Sequence, residues 1–390
     1  MSIELVERVR RRLVDNGTGA GEIAPAVLAD AVRAEVGGVA AHTDVLAALR
    51  LVRHELVGVG PLEPLLDDPD TTDILVTGPD QVWVDGQNGL RHTDIRFTGD
   101  ESVRRLAQRL ALAAGRRLDD AQPYVDGWLP GSGPHGHVRL HAVLPPVASG
   151  GTCISLRVLR PATHDLPSLA RRNTFAGNGL AVLEEIVDTR MAFLVTGATG
   201  AGKTTMLAAL LGRVAPTERI VCVEDAGELL PSHPQFVRLT ARPPNVEGAG
   251  EVTLRDLVRQ ALRMRPDRLV VGEVRGREVC ELLNALNTGH DGGAGTLHAN
   301  SPGEVPARLE ALAALGGLSR PALHSQLAAA VQVVLHMRRE GSVRTLAEIG
   351  VVRRAEAAAE VCPVWRAGRW TEHRSLLAEQ LARRGGRPPC

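Results

Sequence analysis

The sequence predicts an α/β fold in which a parallel-sheet domain follows an α+β domain and a short helical segment. From residue 180 onward, strand-like and helix-like stretches alternate, as in chains that wind helices around a parallel sheet. The strand RLVVGE at 268–273 is almost uniformly apolar, which suits a strand covered on both faces. A glycine-rich turn, GATGAG at 197–202, joins an apolar strand to a helix. That arrangement aims backbone N–H groups at an anion.

Length and composition bound the rest. At 390 residues the chain has room for two to three domains of about 150 residues each. The 45 basic and 45 acidic residues leave a formal net charge of +0. A protein that wraps nucleic acid needs a basic excess, so that class is disfavoured. Aromatic residues make up 2%, too few for base-stacking platforms. Cys153, Cys222, Cys280, Cys362 and Cys390 are far apart and show no metal-ligand spacing. They read as reduced, mostly buried thiols of a cytosolic protein. No run of 18 apolar residues occurs and the N-terminus lacks a signal-peptide core, so membrane-spanning and secreted readings are set aside.

The elements follow in order. Residues 1–57 hold three amphipathic stretches, the first with Ile3, Val6, Val9 and Leu13 at helical spacing, and predict a small helical bundle. Arg8, Arg10, Arg11 and Arg12 on its first helix read as a solvated face rather than a membrane contact. Residues 58–160 change to short strands (TDILVTG, QVWVDG, HVRLHAV, ISLRVLR) around a helix at 101–114, an α+β domain. Residues 161–178, with two prolines and a Gly-Asn-Gly close, read as a linker, and 179–390 as the nucleotide-binding domain with a C-terminal extension. Within it, strands are expected at 192–196, 219–224, 268–273 and 294–298, and helices at 203–213, 276–286 and 303–315. Thr253, with Asp256 three residues on, opens a further helix that runs to Met264. After strands QVVLHM and LAEIGVV, the basic Gly/Pro-rich terminus reads as disordered.

Of the basic residues 44 are Arg and one, Lys203, is Lys. A lysine kept amid such arginine use marks a position that needs a compact point charge rather than a planar fork. It sits in Gly197-Ala198-Thr199-Gly200-Ala201-Gly202-Lys203-Thr204, a GxxxxGK[ST] P-loop between strand and helix, and Thr205 continues the turn. The glycines let N–H groups face the β-phosphate, Lys203 reaches the β- and γ-phosphates, and Thr204 ligates Mg²⁺. This is the signature of a nucleoside triphosphatase.

Hydrolysis also needs acids. Glu224 and Asp225 close the strand RIVCV, Glu228 follows one turn later, and Glu273 closes RLVVG. In an open parallel sheet the ligand lies at the carboxyl ends of strands, where both groups fall. Glu273 is expected to hold Mg²⁺ through water while a second acid orients the attacking water. In NTGHDGGAGTLHANSP, His290 and His298 flank a Gly-rich loop and read as phosphate sensors. No further His or Cys supplies a zinc site with them.

Four runs in this order, GATGAGKTT, RIVCVEDAGEL, RMRPDRLVVGEVRG and TGHDGGAGTLHANSP, resemble the Walker A, Asp box, Walker B and His box of the type II and type IV secretion ATPases. RPPNVEGAGEVTLRDLVRQALRMRPD is similar to the CpaF/TadA-type branch, the tight-adherence (Flp) pilus assembly ATPases. GPLEPLLDDPDTTDILVTGPDQVWVD, GRRLDDAQPYVD and HAVLPPVASGGTCISLRVLRP have counterparts there too, so the resemblance covers roughly residues 57–335. The tetracysteine module usual in type II enzymes is missing, LPGSGPHGHVRLHAV is longer than the family's tight turn, and DAGEL stands for the commoner DTAEL.

The resemblance implies a homohexamer in which α+β (PAS-like) N-terminal domains close over ATP and Mg²⁺ held by RecA-like P-loop domains. It implies Glu224 as the water-orienting base, Glu273 as the Mg²⁺-shell acid and His298 as a catalytic residue. Arg157 and Arg139 match the arginines that the family brings to the γ-phosphate, with Arg219, Arg238 and Arg242 as further candidates. It further implies a cytoplasmic enzyme, peripheral at the inner face of the membrane, with polytopic inner-membrane platform proteins as partners and no nucleic acid. Three other readings stand beside a pilus motor: a type IV secretion ATPase, a nucleic-acid translocase on the same core, and a non-catalytic scaffold. Neutral charge and scarce aromatics oppose the translocase, and the presence of Lys203 and Glu273 opposes the scaffold.

Overall fold

Alternation of apolar and polar residues builds the first part of the chain. The computed structural model describes residues 8, 9, 11, 12, 25–36, 58–86, 89–129, 137–159, 164–242, 244, 249–341, 343–356 and 358–387. The chain divides into two units, Met1–Arg160 and Pro161–Cys390. The third of the amphipathic stretches expected in residues 1–57, at 43–57, and residues 130–136 of the LPGSGPHGHVRLHAV segment lie outside the described residues.

In the first unit, helix α1 (Pro25–Val36) buries Ala31 and Val32, and its Glu35 pairs with Arg8 at 3.3 Å and Arg12 at 2.9 Å. Two of the N-terminal arginines thus share one carboxylate inside the unit. After α2 (Glu63–Asp67) come β1 (Asp73–Thr77), β2 (Val82–Asp85), β3 (Arg91–His92), α3 (Asp100–Ala113), β4 (Tyr124–Leu129), β5 (His137–Val143) and β6 (Cys153–Leu159). These strands form one antiparallel sheet in the order β3-β2-β1-β6-β5-β4. Ile74, Val76, Leu140, Ile154 and Leu156 point to one face and meet Val103, Leu106 and Leu110 of α3. This is the α+β domain that the strand pattern predicts.

In the second unit, α4 (Leu166–Arg171) and α5 (Gly179–Asp188) precede β7 (Phe193–Thr196) and α6 (Lys203–Gly212). The stretch read as a linker therefore contains a helix, capped by Asp165, whose Leu166 and Leu169 are buried in this unit's core. Then follow β8 (Ile220–Glu224), β9 (Phe236–Thr240), α7 (Leu254–Ala261), β10 (Arg268–Val271), α8 (Val279–Asn287), β11 (Ala294–Leu297), α9 (Val305–Leu315) and α10 (Arg320–Ala330). Thr253 and Asp256 form the reciprocal capping box at the start of α7. The chain ends through β12 (Val333–Glu340), β13 (Val343–Arg354), β14 (Ala359–Arg366), β15 (Arg369–Trp370) and α11 (Arg374–Arg383).

The sheet order is β15-β14-β13-β12-β7-β11-β10-β8-β9, parallel from β12 to β9 and antiparallel beyond β12. The central strands are buried on both faces, so Phe193 and Val195 join one apolar cluster while Leu194 joins the other. This is the doubly covered α/β sheet of a RecA-like domain. Two expectations are corrected. Residues 359–387 are ordered rather than disordered, because Trp365, Leu377 and Leu381 are fully buried beneath the basic surface residues. Strand β10 stops at Val271, so Glu273 stands two residues beyond its end. Among the described residues, no helix is long and apolar enough to cross a membrane.

Candidate active site

The carboxyl ends of β7, β8, β10 and β11 share one edge of the parallel sheet. Leu297 pairs with Thr196, Val271 with Gly295 and Val223 with Val271. Whatever follows each strand is therefore brought to its neighbours: Gly197 after β7, Glu224 at the tip of β8, Glu273 past β10, and His298 after β11.

Gly197, Gly200 and Gly202 have φ values of +145°, +73° and +89°, a region that glycine enters without steric cost. A Cβ on Gly197 would stand 2.4 Å from the Met337 carbonyl oxygen, so this turn also needs glycine for room. Lys203, Thr204 and Thr205 form the first turn of α6, where backbone N–H groups lack partners one turn earlier. Ala198, Thr199 and Ala201 complete the loop.

Lys203 is 8% exposed. Its Nζ donates to the carbonyls of Gly197 and Ala198, each at 3.0 Å, and to Nδ1 of His298 at 3.3 Å. Burial lowers the pKa of this ammonium, Glu273 opposes the shift and Arg275 adds to it. An ammonium only donates, so His298 Nδ1 is the acceptor and the ring proton sits on Nε2. Nε2 lies 2.7 Å from Glu273 Oε1, off the axis of an aligned hydrogen bond. Burial, then the charge of Lys203, lower the His298 pKa and keep the ring neutral near pH 7. The other Glu273 oxygen accepts from Arg275.

Glu224 is 4% exposed. Its Oε1 accepts from the Leu229 N–H at 3.0 Å, and its Oε2 is buried without a hydrogen-bond partner among the described residues. Burial raises its pKa to about 7, against the pull of the Leu229 N–H and of Arg238. Gly272 lies beneath it, where a Cβ would stand 2.5 Å from Glu224 Cγ. The glycine of VVGE thus makes room for the carboxylate on the neighbouring strand.

The other sequence-derived candidates divide. Asp225 is exposed and Glu228 half-buried, both in the turn beyond β8. Arg238 donates to the Gly227 carbonyl at 2.9 Å and braces that turn. Arg242 bridges to Val252 beyond β9 and donates to Gly250 O at 2.8 Å. His290 precedes β11, and Arg219 precedes β8 with its N–H on Asp267, so both lie at the amino ends of the strands, away from Lys203. In the first unit, Arg139 and Arg157 face each other across β5 and β6. Arg139 forms a two-pronged contact with Asp126 (2.9 and 2.9 Å), whereas Arg157 is exposed. Sequence reasoning did not single out Gly272, Arg275, Arg339 or Arg344. Arg275 could have been noticed from its place two residues after Glu273. Arg344 could not, because its contact with the P-loop spans 144 residues.

A nucleotide with Mg²⁺ fits these residues. The turn is glycine where a Cβ would fill it, its lysine is buried, and Glu273, whose Oε1 is buried without a hydrogen-bond partner among the described residues, stands beside it across His298. No group of three His, Cys, Asp or Glu among the described residues could hold a metal alone. Mg²⁺ usually takes one or two protein oxygens plus phosphate oxygens, which Thr204 and Glu273 would supply in part.

Residues 55–375 match the type II/IV secretion system protein family. A Mycobacterium tuberculosis protein named for conjugal transfer is 67% identical over 343 residues, 87% of this chain and 97% of that one. The type IV secretion system protein PtlH of Bordetella pertussis is 32% identical, covering 62% of this chain and 76% of its own. Among solved structures, the pilus retraction motor PilT with ADP aligns at a TM-score of 0.55 and 22% identity, over 83% of this chain and 86% of that one. The Legionella pneumophila ATPase DotB aligns at 0.54 and 19%, over 76% and 80%. Both likenesses speak to the fold.

Proposed function

We propose, from the premise that this chain belongs to the type II/IV secretion system protein family, that it is an ATPase motor of a secretion or pilus machine. The observation that carries the reading is the cluster of Lys203, His298 and Glu273 at the mouth of the P-loop, with buried Glu224 at the tip of β8, the strand beside the β10 that leads to Glu273. When bound, Mg²⁺ supplies charge neutralisation of the phosphates. Lys203 leaves the neutral loop carbonyls for anionic phosphate oxygens, an exchange that trades neutral acceptors for charge-assisted ones. Glu224, with a pKa near neutrality and an unpaired oxygen, takes a proton from water at Oε2. Neutral His298 holds Glu273 and Lys203 apart and presents Nε2–H as a donor.

The finer reading is a homohexamer at the inner face of the membrane, docked on polytopic platform proteins and driving tight-adherence (Flp) pilus assembly. It rests on the CpaF/TadA-like segment around residues 242–267. A conjugal-transfer or type IV secretion motor is the second reading, favoured by the names of the 67% and 32% identical relatives. The test is ATP turnover by the purified chain with its Lys203→Ala and Glu224→Gln variants, followed by identification of the neighbouring genes. Equal turnover in all three proteins overturns the ATPase reading. A small pilin gene and two polytopic membrane-protein genes beside this one favour the pilus branch. Strong DNA stimulation with a steep salt dependence would move the assignment to a translocase.

A further inference from the structure

Strand β12 lies beside β7 and pairs with it through His336, then runs on to Glu340, past the point where the chain turns into the P-loop. The return strand β13 places Arg344 directly opposite Arg339. Two like charges facing each other across an antiparallel pair destabilise it. Elsewhere on this part of the sheet that cost is avoided: Arg353 faces and pairs with Glu360, and Arg366 with Glu348. Arg339 and Arg344 have no carboxylate partner among the described residues.

Both guanidiniums are held by their inner nitrogen. Arg344 Nε donates to the Gly200 carbonyl at 2.9 Å, and Arg339 Nε donates to the Gly341 carbonyl at 2.8 Å. The outer nitrogens, which form the fork that fits phosphate, are left uncommitted by these contacts. Arg339 Nη1 lies 3.1 Å from where a Cβ on Gly200 would stand, and Arg344 Cδ lies 3.1 Å from the same point on Gly202. The pair therefore packs on two glycines of the P-loop. A cavity of about 390 Å³ opens beside the loop on the β12 side, lined in part by Ala198, Thr199, Asn300, His336 and Arg339. Partial burial and the charge of Arg339 both lower the pKa of Arg344, the condition of a cation short of an anion.

We propose that Arg339 and Arg344 are nucleotide-binding residues, which from within the same subunit grip phosphate oxygens of a bound nucleoside di- or triphosphate at the outer side of the P-loop. The inference deepens the nucleotide reading above and rests on it. It also adds two cations inside the second unit that a search for lysine alone does not find.

The test measures ADP and inorganic pyrophosphate binding to the full chain by calorimetry. Arg339→Gln and Arg344→Gln should each weaken both ligands about 10-fold, the scale of one charge-assisted hydrogen bond. Glutamine in place of Arg344 keeps a donor for Gly200 O, so a role limited to bracing the loop would leave affinity intact. Arg353→Gln, on the same strand and paired with Glu360, should bind as wild type and controls for charge loss. Thermal melts without ligand should show the two glutamine variants no less stable than wild type. Unchanged pyrophosphate affinity in both variants overturns the inference while leaving the nucleotide site standing. Failure of the wild-type protein to bind ADP overturns the nucleotide reading and this inference with it.

Discussion

Lys203 Nζ lies 3.3 Å from Nδ1 of His298, so the P-loop lysine and the imidazole that follows β11 form one hydrogen-bonded unit. The lysine is otherwise satisfied by two carbonyls of its own loop. The lysine thus ties the P-loop to the turn after β11, with neutral histidine as its third acceptor.

A compact donor is what that unit admits. Lys203→Arg keeps the charge but puts a planar fork into a space 8% exposed and bounded by two carbonyls and a ring nitrogen. ATP turnover should fall at least about 10²-fold in Lys203→Arg, as when a preorganised donor is lost, and Lys203→Ala should be no better. Steady-state phosphate release checks this, and near-wild-type turnover in the arginine variant would sink the role given to this lysine.

Glu224 makes the site pH-dependent in a stated direction. Its carboxyl is raised from an ordinary 4.5 to about 7 by burial. As the water-orienting base it has to be ionised, so kcat/KM should rise with pH through a limb near 7. Arg238 pulls that pKa down, and Arg238→Ala should therefore shift the limb to higher pH. Stability runs the other way. Between about 4.5 and 7 the unfolded chain releases this proton and the folded chain keeps it, so the contribution is full below 4.5 and lost as pH rises through 7. At about 1.4 kcal/mol per pKa unit, that gap is worth about 3 kcal/mol. Glu224→Gln has no such proton to lose. Relative to wild type without nucleotide it should gain by about that amount between pH 4 and pH 8 in denaturant melts, and parallel curves would refute the assignment.

Gly272 tests position without touching charge. A methyl group there would stand 2.5 Å from Glu224 Cγ and 2.8 Å from its Oε1, and the backbone carbonyl of Gly272 is held by the Thr296 hydroxyl at 2.7 Å. The side chain has to move, since the strand cannot. Gly272→Ala should lower turnover on the order of 10²-fold, the cost of an ångström-scale misplacement, while ADP affinity holds. Equal losses of affinity and turnover would show that the strand itself had been disturbed.

The sequence carried the parts of this site that lie close together along the chain. Gly197 to Thr205 were legible because a turn and a helix start are local events, Glu224 because it ends an apolar strand, and Glu273 because it follows one by two residues. The capping box at Thr253 and Asp256 was legible for the same reason. What needed the fold was the outcome of strand order. His290 and His298 share one motif, yet β11 carries them to opposite edges of the sheet. Gly272 is set by the side chain of a neighbouring strand, and Arg344 by a hairpin that the order β13-β12-β7 brings to the P-loop. The terminal region was misread because its arginines mask Trp365 on β14 and the single buried i, i+4 pair Leu377 and Leu381 on α11.

The second unit anchors its own P-loop groups. Lys203, Glu224, Glu273 and His298 all lie within it, as do Arg339 and Arg344, and each is held by a hydrogen bond inside this unit. Transition-state charge on a γ-phosphate calls for a further cation that is free to approach. Of the two arginines that match the family's pattern, Arg139 is engaged by Asp126 through both prongs, while Arg157 is exposed on β6. Arg157→Ala should therefore cost about 10²–10³-fold in turnover, and Arg139→Ala considerably less. Residues 161–390 expressed alone should retain ADP binding and lose most hydrolysis, and the full chain with a non-hydrolysable ATP analogue should run as a hexamer in sedimentation. A monomer with full activity, or residues 161–390 turning over as fast as the whole chain, would show that the second unit completes the reaction unaided.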